Sequence, residues 1–591
     1  MPEDLPLRTE FSGDMLIEWD MPLTMSDGLA LRADIFRPNR PGKFPALLSY
    51  GPYGKWLAFQ DGYKSAWDYM ARFHPDVTAG SSNKFQNWEV VDPEKWVPDG
   101  YVCIRIDSRG AGRSPGYLEL NSTREIDDLC ECIEWAGTRP WSNGKVGLSG
   151  ISYYAANQWR AAARRPKYLA AICVWEGFVD GYRDATRHGG ILCTFAKNWN
   201  DMQVKTVQHG VGTRGPVSTL TGEFVCGPDT LSDEELKANR ANLWEATQSH
   251  PLDNERYRRN LPNLEDIEVP LLSAGNWGGQ GLHLRGNIEG FLAAGSPQKW
   301  LEMHGGAHWV QYYTDYGVGL QKQFFGHFLK GEANGWDQRP PVLLNIRSPG
   351  ERFSAREEHE WPLSRTCWTK LYLDPGSLEL RATPSDEPRK LEYTALGAGL
   401  TFSTVPFEVT TEITGPCAAK LFLSSTTIDA DVFLVLRLFA PDGSEVHFFG
   451  ALDPKVPIAQ GWLRASHRKI DPKRSTAHRP YHPHDEKWPL VPREVVELDV
   501  EILPTSIVIP PGYRLALTVL GRDYEHQSPP ATLSNIRNQM KGCGPFIHDD
   551  ETDRPISVFG GSYALHFDRE KQPYVLLPII TDGQLHANRT K

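Results

Sequence analysis

The sequence contains no long hydrophobic run: nowhere in its 591 residues is there a stretch approaching the roughly 18 consecutive apolar residues that span a membrane. It also shows no secretory signal, since the first residues are acidic and no apolar segment follows them. Positive charge is not in excess, because 63 Lys and Arg face 74 Asp and Glu, a net charge of −11. Such a chain has no field that would attract nucleic acid or an anionic membrane surface. We therefore expect a cytoplasmic protein that binds neither.

Cysteine is scarce as well. Nine cysteines are spread over the chain without a Cys-x-x-Cys pair, which argues against a disulfide framework. His467, His478, His482 and His484 lie near Asp485 in a Pro-rich stretch without thiols, so we predict no metal and no cofactor. With 40% hydrophobic and 23% charged residues, the composition indicates a globular protein of several domains.

Short apolar runs at residues 45–50 and 101–107 each end in a glycine-containing loop, as buried parallel strands do. A strand at 145–150, an alanine-rich helix at 153–165 and a strand at 169–177 follow. This succession of strand, sharp turn, helix and strand is typical of the α/β-hydrolase core. Ligands bind at the carboxyl ends of such strands.

The pattern divides the chain into three parts. Residues 1–177 and 266–345 are predicted to form the α/β-hydrolase core. Between them, residues 178–265 lose the strand pattern and contain acidic helix-like stretches, which indicates an inserted helical cap. Residues 346–591 contain alternating strands separated by Pro, Gly and Asp turns, which favours a jelly-roll β-sandwich. The expected fold class is therefore α/β plus all-β.

A serine on the sharp turn after the third strand is the strongest catalytic signal. Gly150 lies two positions before Ser152, but Tyr154 stands two positions after it, so only half of the Gly-x-Ser-x-Gly pattern is present. Ser149 competes for the role, yet it falls on the strand, where its side chain would be packed. We predict that Ser152 is the nucleophile and that the backbone N–H of Tyr153 helps to stabilise the oxyanion.

Seven further motifs extend this signal along nearly the whole chain. They are Gly-Pro-Tyr-Gly-Lys at 51–55, Asp-Ser-Arg-Gly at 107–110, Gly-Ile-Ser-Tyr at 150–153, Asp-Gly-Tyr-Arg at 180–183, His-Pro-Leu-Asp-Asn at 250–254, Ala-His at 307–308 and Leu-Pro-Ile-Ile at 577–580. In their order and spacing the chain resembles the cocaine-esterase and X-Pro dipeptidyl-peptidase family of serine hydrolases. The resemblance implies a hydrolase core, a helical cap and a C-terminal jelly roll, in agreement with the pattern.

The resemblance also implies roles for particular residues. It implies that His308, after the last core strand, is the general base, and that the hydroxyl of Tyr53 is the second oxyanion donor. It further implies an Asp after the strand at 269–276, but this chain has Gly278 at that position. An imidazole without a carboxylate partner can lose about 10⁴-fold in rate, so we expect another acid to replace the missing one.

Glu176 is the predicted replacement. It ends the strand that follows the nucleophile helix, and the ends of adjacent parallel strands lie only about 5 Å apart. Its position keeps the chain order Ser, acid, His. Asp180, Glu302 and a Ser–His dyad without an acid stay open as alternatives, as does a structural role for Glu176 in an ion pair with Arg183 or Arg187.

The expected function is that of a serine hydrolase which forms an acyl-enzyme from an ester, with a lactone or an amide as alternatives. Trp199 and Trp277 are candidate walls of the substrate pocket. The loop at residues 275–287 offers no carboxylate for a substrate ammonium group, which favours a neutral ester or lactone over an X-Pro peptide. Acyl transfer or cyclisation at the same site and a non-catalytic binding protein on a decayed hydrolase scaffold stay open. The expected partner is a small-molecule substrate, and a homodimer is left open.

Overall fold

Eleven strands of the N-terminal half form one sheet in the computed structural model, which describes residues 6–581. The strands up to residue 358 are β1 Arg8–Ser12, β2 Met15–Thr24, β3 Ala30–Pro38, β4 Phe44–Gly51, β5 Val102–Asp107, β6 Ser142–Ile151, β7 Leu169–Trp175, β8 Arg187–His188, β9 Ile191–Leu192, β10 Leu271–Asn276, β11 Lys299–His304, β12 Val342–Ser348 and β13 Arg352–Glu358. The order across the sheet is β1-β2-β3-β5-β4-β6-β7-β10-β11-β12-β13, and β8 and β9 pair separately.

The centre of this sheet is parallel, from β5 through β4, β6, β7, β10 and β11 to β12. These strands are almost entirely buried, because helices cover both faces of a parallel sheet. An antiparallel hairpin lies at one side of this centre, since β2 and β3 pair around the turn between Thr24 and Ala30. The carboxyl ends of the parallel strands therefore share one edge, where the site residues are expected.

Short helices alternate with these strands. They are α1 Phe59–Gly62, α2 Lys64–Phe73, α3 Pro75–Thr78, α4 Pro93–Trp96, α5 Thr123–Gly137, α6 Tyr153–Ala163, α7 Phe195–Trp199, α8 Asp233–Ala238, α9 Leu243–Gln248, α10 Glu255–Arg258, α11 Leu284–Ala293, α12 Asp315–Phe325 and α13 Ile556–Phe559. Turns of π-helix lie at Gly181–Thr186, Asn200–Val204 and Gly326–Lys330, and turns of 3₁₀-helix at Lys205–Val207, Gly212–Arg214, Leu264–Asp266, Trp336–Gln338 and Ala465–His467. In the part of the chain that the structure describes, none of the helices combines the length and the apolar character needed to cross a membrane.

The first sheet continues past the boundary predicted at residue 345. Strand β12 pairs parallel with β11, and β13 pairs antiparallel with β12 as far as Glu358. The predicted boundary therefore lies inside β12. The alternating pattern of β13 reads like that of the C-terminal strands, and only its pairing assigns it to the first sheet.

The C-terminal part is rich in β-structure. Its strands are β14 Thr366–Asp374, β15 Glu379–Arg381, β16 Arg389–Thr394, β17 Leu400–Ser403, β18 Thr411–Ser425, β19 Asp431–Phe439, β20 Glu445–Val446, β21 Ala459–Arg464, β22 Val496–Ile509, β23 Arg514–Leu520, β24 Ala531–Leu533, β25 Ile536–Met540, β26 Ser562–Phe567 and β27 Tyr574–Ile580. Twelve of them form one hydrogen-bonded sheet, and β24 and β25 form a separate hairpin. Their inward-facing Leu, Val and Ile side chains form a core of their own.

The segment predicted as a helical cap contains several short helices and also the small β8–β9 hairpin, which the sequence did not indicate. The hairpin turns at Gly189, whose φ is +55°. A Cβ atom there would lie 2.0 Å from the carbonyl oxygen of Trp462. The cap therefore packs directly against the C-terminal β-rich domain, at a point where only glycine fits.

Candidate active site

Four residues of the predicted site follow the carboxyl ends of parallel strands. Tyr53 follows β4, Ser152 follows β6, Glu176 follows β7 and His308 follows β11. A fifth polar side chain, that of His283, comes from the loop after β10. Because adjacent parallel strands place their ends at one edge of the sheet, these side chains meet although up to about 250 residues separate them in sequence.

Ser152 lies on a strained turn between β6 and α6. Its φ of 58° and ψ of −113° fall in a region that L-residues rarely adopt, and such strain is concentrated at functional sites. Gly150 has a φ of 150°, and a Cβ atom there would lie 2.4 Å from the Cβ atom of Tyr154. The competing Ser149 is fully buried and lies 2.7 Å from the hydroxyl of Tyr312. Among the two serines, only Ser152 is presented to a cavity.

The structure brings Glu176 and His308 together. Oε2 of Glu176 accepts a hydrogen bond of 2.7 Å from Nδ1 of His308, and both side chains are buried. The alternatives for the acid lie elsewhere: Asp180 forms an ion pair with Arg183, at 2.8 Å. Arg187 pairs with Asp553 of the C-terminal domain, so neither arginine takes the carboxylate of Glu176.

The serine itself touches a different histidine. Oγ of Ser152 lies 3.3 Å from Nε2 of His283, whereas Nε2 of His308 donates to Oε1 of Glu89 at 3.0 Å. The two imidazole rings stack at 5.1 Å with 7° between their planes. Nδ1 of His283 lies 4.0 Å from Oε2 of Glu176, so both histidines face the same carboxylate. The structure therefore does not join Ser152 and His308 by a hydrogen bond.

Burial and neighbouring charges shift the pKa values of the two histidines in opposite directions. Burial alone would lower the pKa of His308, but Glu176 and Glu89 outweigh it and raise this pKa to about 10. Burial, together with the positive charge on His308, lowers the pKa of His283 to about 3. At neutral pH His308 is therefore an imidazolium and His283 a neutral imidazole, which is the form able to accept a proton.

The two carboxylates also differ. Burial would raise the pKa of Glu176, but His308 and His304 reverse this effect and hold the pKa well below its usual range. Burial raises the pKa of Glu89 to about 7, even though His308 donates a hydrogen bond to it. Oε2 of Glu89 is buried and has no hydrogen-bond partner among the described residues. The site thus contains one fixed anion and one carboxyl group that can gain or lose a proton near neutral pH.

Glu176 also accepts hydrogen bonds from side chains other than His308. His304 donates from Nε2 to Oε1 of Glu176 at 3.0 Å and from Nδ1 to Oε2 of Glu302 at 2.7 Å. Asn276 also donates to Oε1 of Glu176, at 3.2 Å. Glu302, one of the alternative acids, is thus separated from His308 by His304 and Glu176. These bonds fix the orientation of the Glu176 carboxylate.

The C-terminal domain explains why an acid is missing at Gly278. A Cβ atom at Gly278 would lie 2.5 Å from Cα of Gly450 and 2.7 Å from the carbonyl oxygen of Phe449. Ala451 then donates from its backbone N–H to the carbonyl of Gly278 at 3.0 Å, and its own carbonyl accepts from the N–H of His308 at 2.8 Å. No side chain fits at position 278, because this segment occupies the space.

Two donors are available for an oxyanion. Helix α6 begins at Tyr153, so the N–H of Tyr153 belongs to the first turn and has no acceptor within the helix. The hydroxyl of Tyr53 accepts a 3.1 Å hydrogen bond from Nε1 of Trp199, which leaves its own hydrogen free to be donated. Burial raises the pKa of Tyr53 well above its usual value, so the hydroxyl stays protonated. The side chain of Tyr153 points away and donates to Glu125 at 2.6 Å.

A cavity of about 150 Å³ opens over these groups. Core, cap and C-terminal domain all contribute to it, through Ser152, Trp199 and Leu452 among others. Trp199 was expected at its wall and lies there. The expectation for Trp277 is wrong, because its side chain is fully buried and does not line the cavity. Its ring centroid lies 6.0 Å from that of Trp361, and its Nε1 donates to the backbone carbonyl of Asn345 at 2.9 Å.

Sequence reasoning missed Glu89 and His283. Glu89 lies in an irregular segment between two short helices, with a φ of 61°, so no periodic pattern marks it. Its one local signal is a carboxylate placed between Trp88 and Val90, both of which are buried. His283 lies in a glycine-rich loop after a core strand, a position at which ligands bind, and this could have drawn attention to it.

Among the residues that the structure describes, two buried groups of side chains could also hold a metal ion. They are Glu176, His283 and His308 at the site, and His188, Cys193 and His548 between cap and C-terminal domain, each with ligating atoms within 4.8 Å of one another. In the second group the two imidazoles already lie 2.9 Å apart, at hydrogen-bond distance. The histidine cluster near residue 467 likewise has two ring nitrogens 3.0 Å apart.

Comparison with known proteins agrees with this architecture. The family model of the X-Pro dipeptidyl-peptidase (S15 family) matches residues 27–310, and that of the X-Pro dipeptidyl-peptidase C-terminal non-catalytic domain matches residues 334–553. The cocaine esterase of Rhodococcus sp. (strain MB1 Bresler) is 24% identical over 96% of this chain and 99% of its own length. The crystal structure of a CocE/NonD family hydrolase from Staphylococcus aureus is 30% identical, with a TM-score of 0.81 over 96% of this chain and 94% of that one. An α-amino acid ester hydrolase shares the fold at 15% identity, with a TM-score of 0.66 over 98% of this chain and 99% of its own.

Proposed function

Because this chain belongs to the cocaine-esterase and X-Pro dipeptidyl-peptidase family of serine hydrolases and is a hydrolase enzyme, we propose that it cleaves an ester through an acyl-enzyme on Ser152. In this proposal Glu176 replaces the triad acid, and His308 and His283 together serve as the base. The hydroxyl of Tyr53 and the N–H of Tyr153 stabilise the oxyanion. We assign the C-terminal domain to the jelly-roll type on the same basis.

One observation carries the proposal: the 2.7 Å hydrogen bond from His308 to Glu176 beside a serine on a strained turn. A carboxylate bonded to Nδ1 of His308 fixes the tautomer of that ring once it is neutral, and the same carboxylate faces the imidazolium that forms on His283 during acyl transfer. Gly278 leaves no room for the usual acid, and Glu176 supplies the same charge from the neighbouring strand. The site therefore keeps the parts of a serine hydrolase although the acid has moved.

Proton movement follows from the contacts of the two histidines. Ser152 loses its proton to Nε2 of His283 as its Oγ attacks the ester carbonyl carbon. The proton on Nε2 of His308 moves to Glu89, which burial holds at a pKa of about 7, and His308 becomes neutral. The new imidazolium on His283 then faces Glu176 at 4.0 Å, without a second positive ring beside it. The leaving alkoxide takes the proton from His283, and Glu89 returns its proton to Nε2 of His308. Water then repeats these transfers on the acyl-enzyme: it gives a proton to His283, which passes it to Oγ of Ser152 as the acid is released.

The lining of the cavity favours an ester over an X-Pro peptide. Glu89 is the one carboxylate among the described residues that line it, and Glu89 is bonded to His308. No further carboxylate is placed to hold the ammonium group of a peptide substrate.

A fluorophosphonate probe tests the proposal. Intact mass should show one phosphonyl group on the wild-type protein and none on Ser152→Ala, whereas Ser149→Ala should be labelled at the wild-type rate. His283→Gln should be labelled more slowly by about 10²-fold or more, because general-base assistance typically contributes 10²–10⁴-fold. Loss of the label in Ser149→Ala alone, or no label on the wild-type protein, would contradict the proposal. The second result would favour a decayed scaffold, and the mass of the product released from an ester would separate hydrolysis from acyl transfer.

A further inference from the structure

An arginine lines the same cavity as the serine without a carboxylate partner. Arg160 lies on α6, the helix that Ser152 begins, and only 7% of it is exposed. Among the described residues 6–581, no carboxylate forms an ion pair with it. Arg183 and Arg464, which are buried to a similar degree, each pair with an aspartate. A buried cation without an anion is costly, so the lack of a partner in the cavity needs an explanation.

The hydrogen bonds of Arg160 leave part of its guanidinium free. Nε donates to the backbone carbonyl of Asn260 at 2.8 Å, and Nη1 donates to the side chain of Asn121. These two neutral acceptors hold the group in place, and the charges of Glu125 and Asp180 act on it without forming an ion pair. Nη2 donates to none of the described residues, and the guanidinium has five N–H groups in total. Burial lowers the pKa of Arg160, which indicates that water does not solvate the charge well.

A second positively charged side chain lines the cavity. Arg256 of the cap also lines the cavity and makes no ion pair within the part of the chain that the structure describes. Glu89 is the one carboxylate among the described residues that line the cavity, and it accepts a hydrogen bond from His308. Arg105 and Arg347 are also buried without a carboxylate, but neither lines this cavity. The cavity that contains Ser152 therefore has an excess of positive charge, from Arg160 and Arg256.

We propose that Arg160 binds a carboxylate on the substrate, so that the enzyme prefers esters whose acyl chain ends in an anionic group. This inference rests on the proposed esterase function and names its substrate class. An Arg guanidinium with free N–H groups binds a carboxylate through parallel charge-assisted hydrogen bonds. Arg256 adds to the same field from the cap side.

Helix geometry gives the length of the acyl chain. Arg160 follows Ser152 by eight positions, which is about 12 Å along a helix with a rise of 1.5 Å per residue. Helical side chains lean towards the N-terminus, so the bound carboxylate lies nearer to the serine, roughly 6–10 Å away. A dicarboxylic acid of about suberate length spans this distance, and succinate is too short.

The test compares two esters of one acid. The substrates are the mono-p-nitrophenyl ester of suberic acid and the same compound with its free carboxylate methylated, and the measurement is the ratio of their kcat/KM values. The wild-type enzyme should prefer the anionic ester by about 10-fold or more, because only this ester carries the negative charge that strengthens a hydrogen bond from the guanidinium. In Arg160→Gln this ratio should fall towards one, and in Arg160→Lys it should be intermediate. Arg164→Gln is the matched control: this exposed residue lies one turn further along and pairs with Asp127 at 2.9 Å, so the ratio should not change.

A binding experiment separates this inference from the proposed function. Suberate should raise the melting temperature of Ser152→Ala and should fail to raise that of Ser152→Ala combined with Arg160→Gln. If neither ester is cleaved but suberate still stabilises the first variant, the esterase proposal fails and the anion site stands. If suberate stabilises neither variant, or if the preference for the anionic ester survives Arg160→Gln, the inference is overturned. The melting temperature without ligand shows whether the variants fold.

Discussion

Replacing Glu176 by Gln removes one negative charge and keeps the shape of the side chain. The lost charge lies 4.0 Å from Nδ1 of His283, the ring that gains a proton in the proposed mechanism. At an effective dielectric constant of about 20, two unit charges at this separation attract each other by about 4 kcal/mol. A neutral amide also fails to fix the tautomer of His308, and loss of this function alone costs about 10⁴-fold in turnover in a serine triad. We therefore expect kcat to fall by about 10³–10⁴-fold, since each tenfold is about 1.36 kcal/mol.

The assay is steady-state hydrolysis of a p-nitrophenyl ester. Glu176 does not line the cavity, so the loss should appear in kcat and leave KM nearly unchanged. The fold should persist, because His308 keeps Glu89 and His304 keeps Glu302 as partners. Glu302→Gln is the matched control, since it removes a carboxylate that touches His304 but not His308. The kcat of this control should fall by less than about tenfold, because His304 and Glu176 separate the removed charge from His308.

Two results would refute this reasoning. If Glu176→Gln keeps kcat within about tenfold of the wild type with an unchanged melting temperature, its carboxylate does not assist the histidines. If Glu302→Gln loses as much as Glu176→Gln, the effect arises from the whole charged chain and not from contact with His308. The first result would return the site to a Ser–His dyad.

Two further predictions address the donors and the proton acceptor. Tyr53→Phe deletes only the hydroxyl and should lower kcat by about 10²–10³-fold, the usual loss for one oxyanion donor; a kcat within threefold of the wild type would remove Tyr53 from the oxyanion hole. Glu89 must be ionised to receive the proton of His308, and its pKa is raised to about 7, so kcat/KM should rise with pH through about 7 and then level off. This limb should be absent from the pH profile of Glu89→Gln, because the pKa of His308 is about 10 and that of His283 about 3; an unchanged limb near 7 would assign it to another group.

Local sequence was sufficient for the elements that carry the site. Short apolar runs predicted the parallel strands, and the glycine before Ser152 predicted a turn that only a small residue allows. These signals extend over a few residues, because strand burial and turn strain are set by neighbours in the chain. Glu176 was within reach of the same reasoning, since it depends only on the neighbouring strand end.

Contacts between distant segments were beyond that reasoning. Glu89 reaches His308 from a segment without regular structure, and His283 reaches Ser152 from a loop whose path no periodic pattern describes. Trp277 was predicted on the wrong side of its loop for the same reason.

The sequence by itself determined the hydrolase core, the position of the candidate nucleophile and the absence of an acid at position 278, because each depends on adjacent residues. Only the tertiary structure decided why that acid is absent and what stands around the serine. The backbone at Phe449 and Gly450 fills the space beside Gly278, and nothing in either segment alone indicates that they meet. Close packing between domains fixes such contacts, since it depends on the shapes of surfaces that lie far apart in the chain.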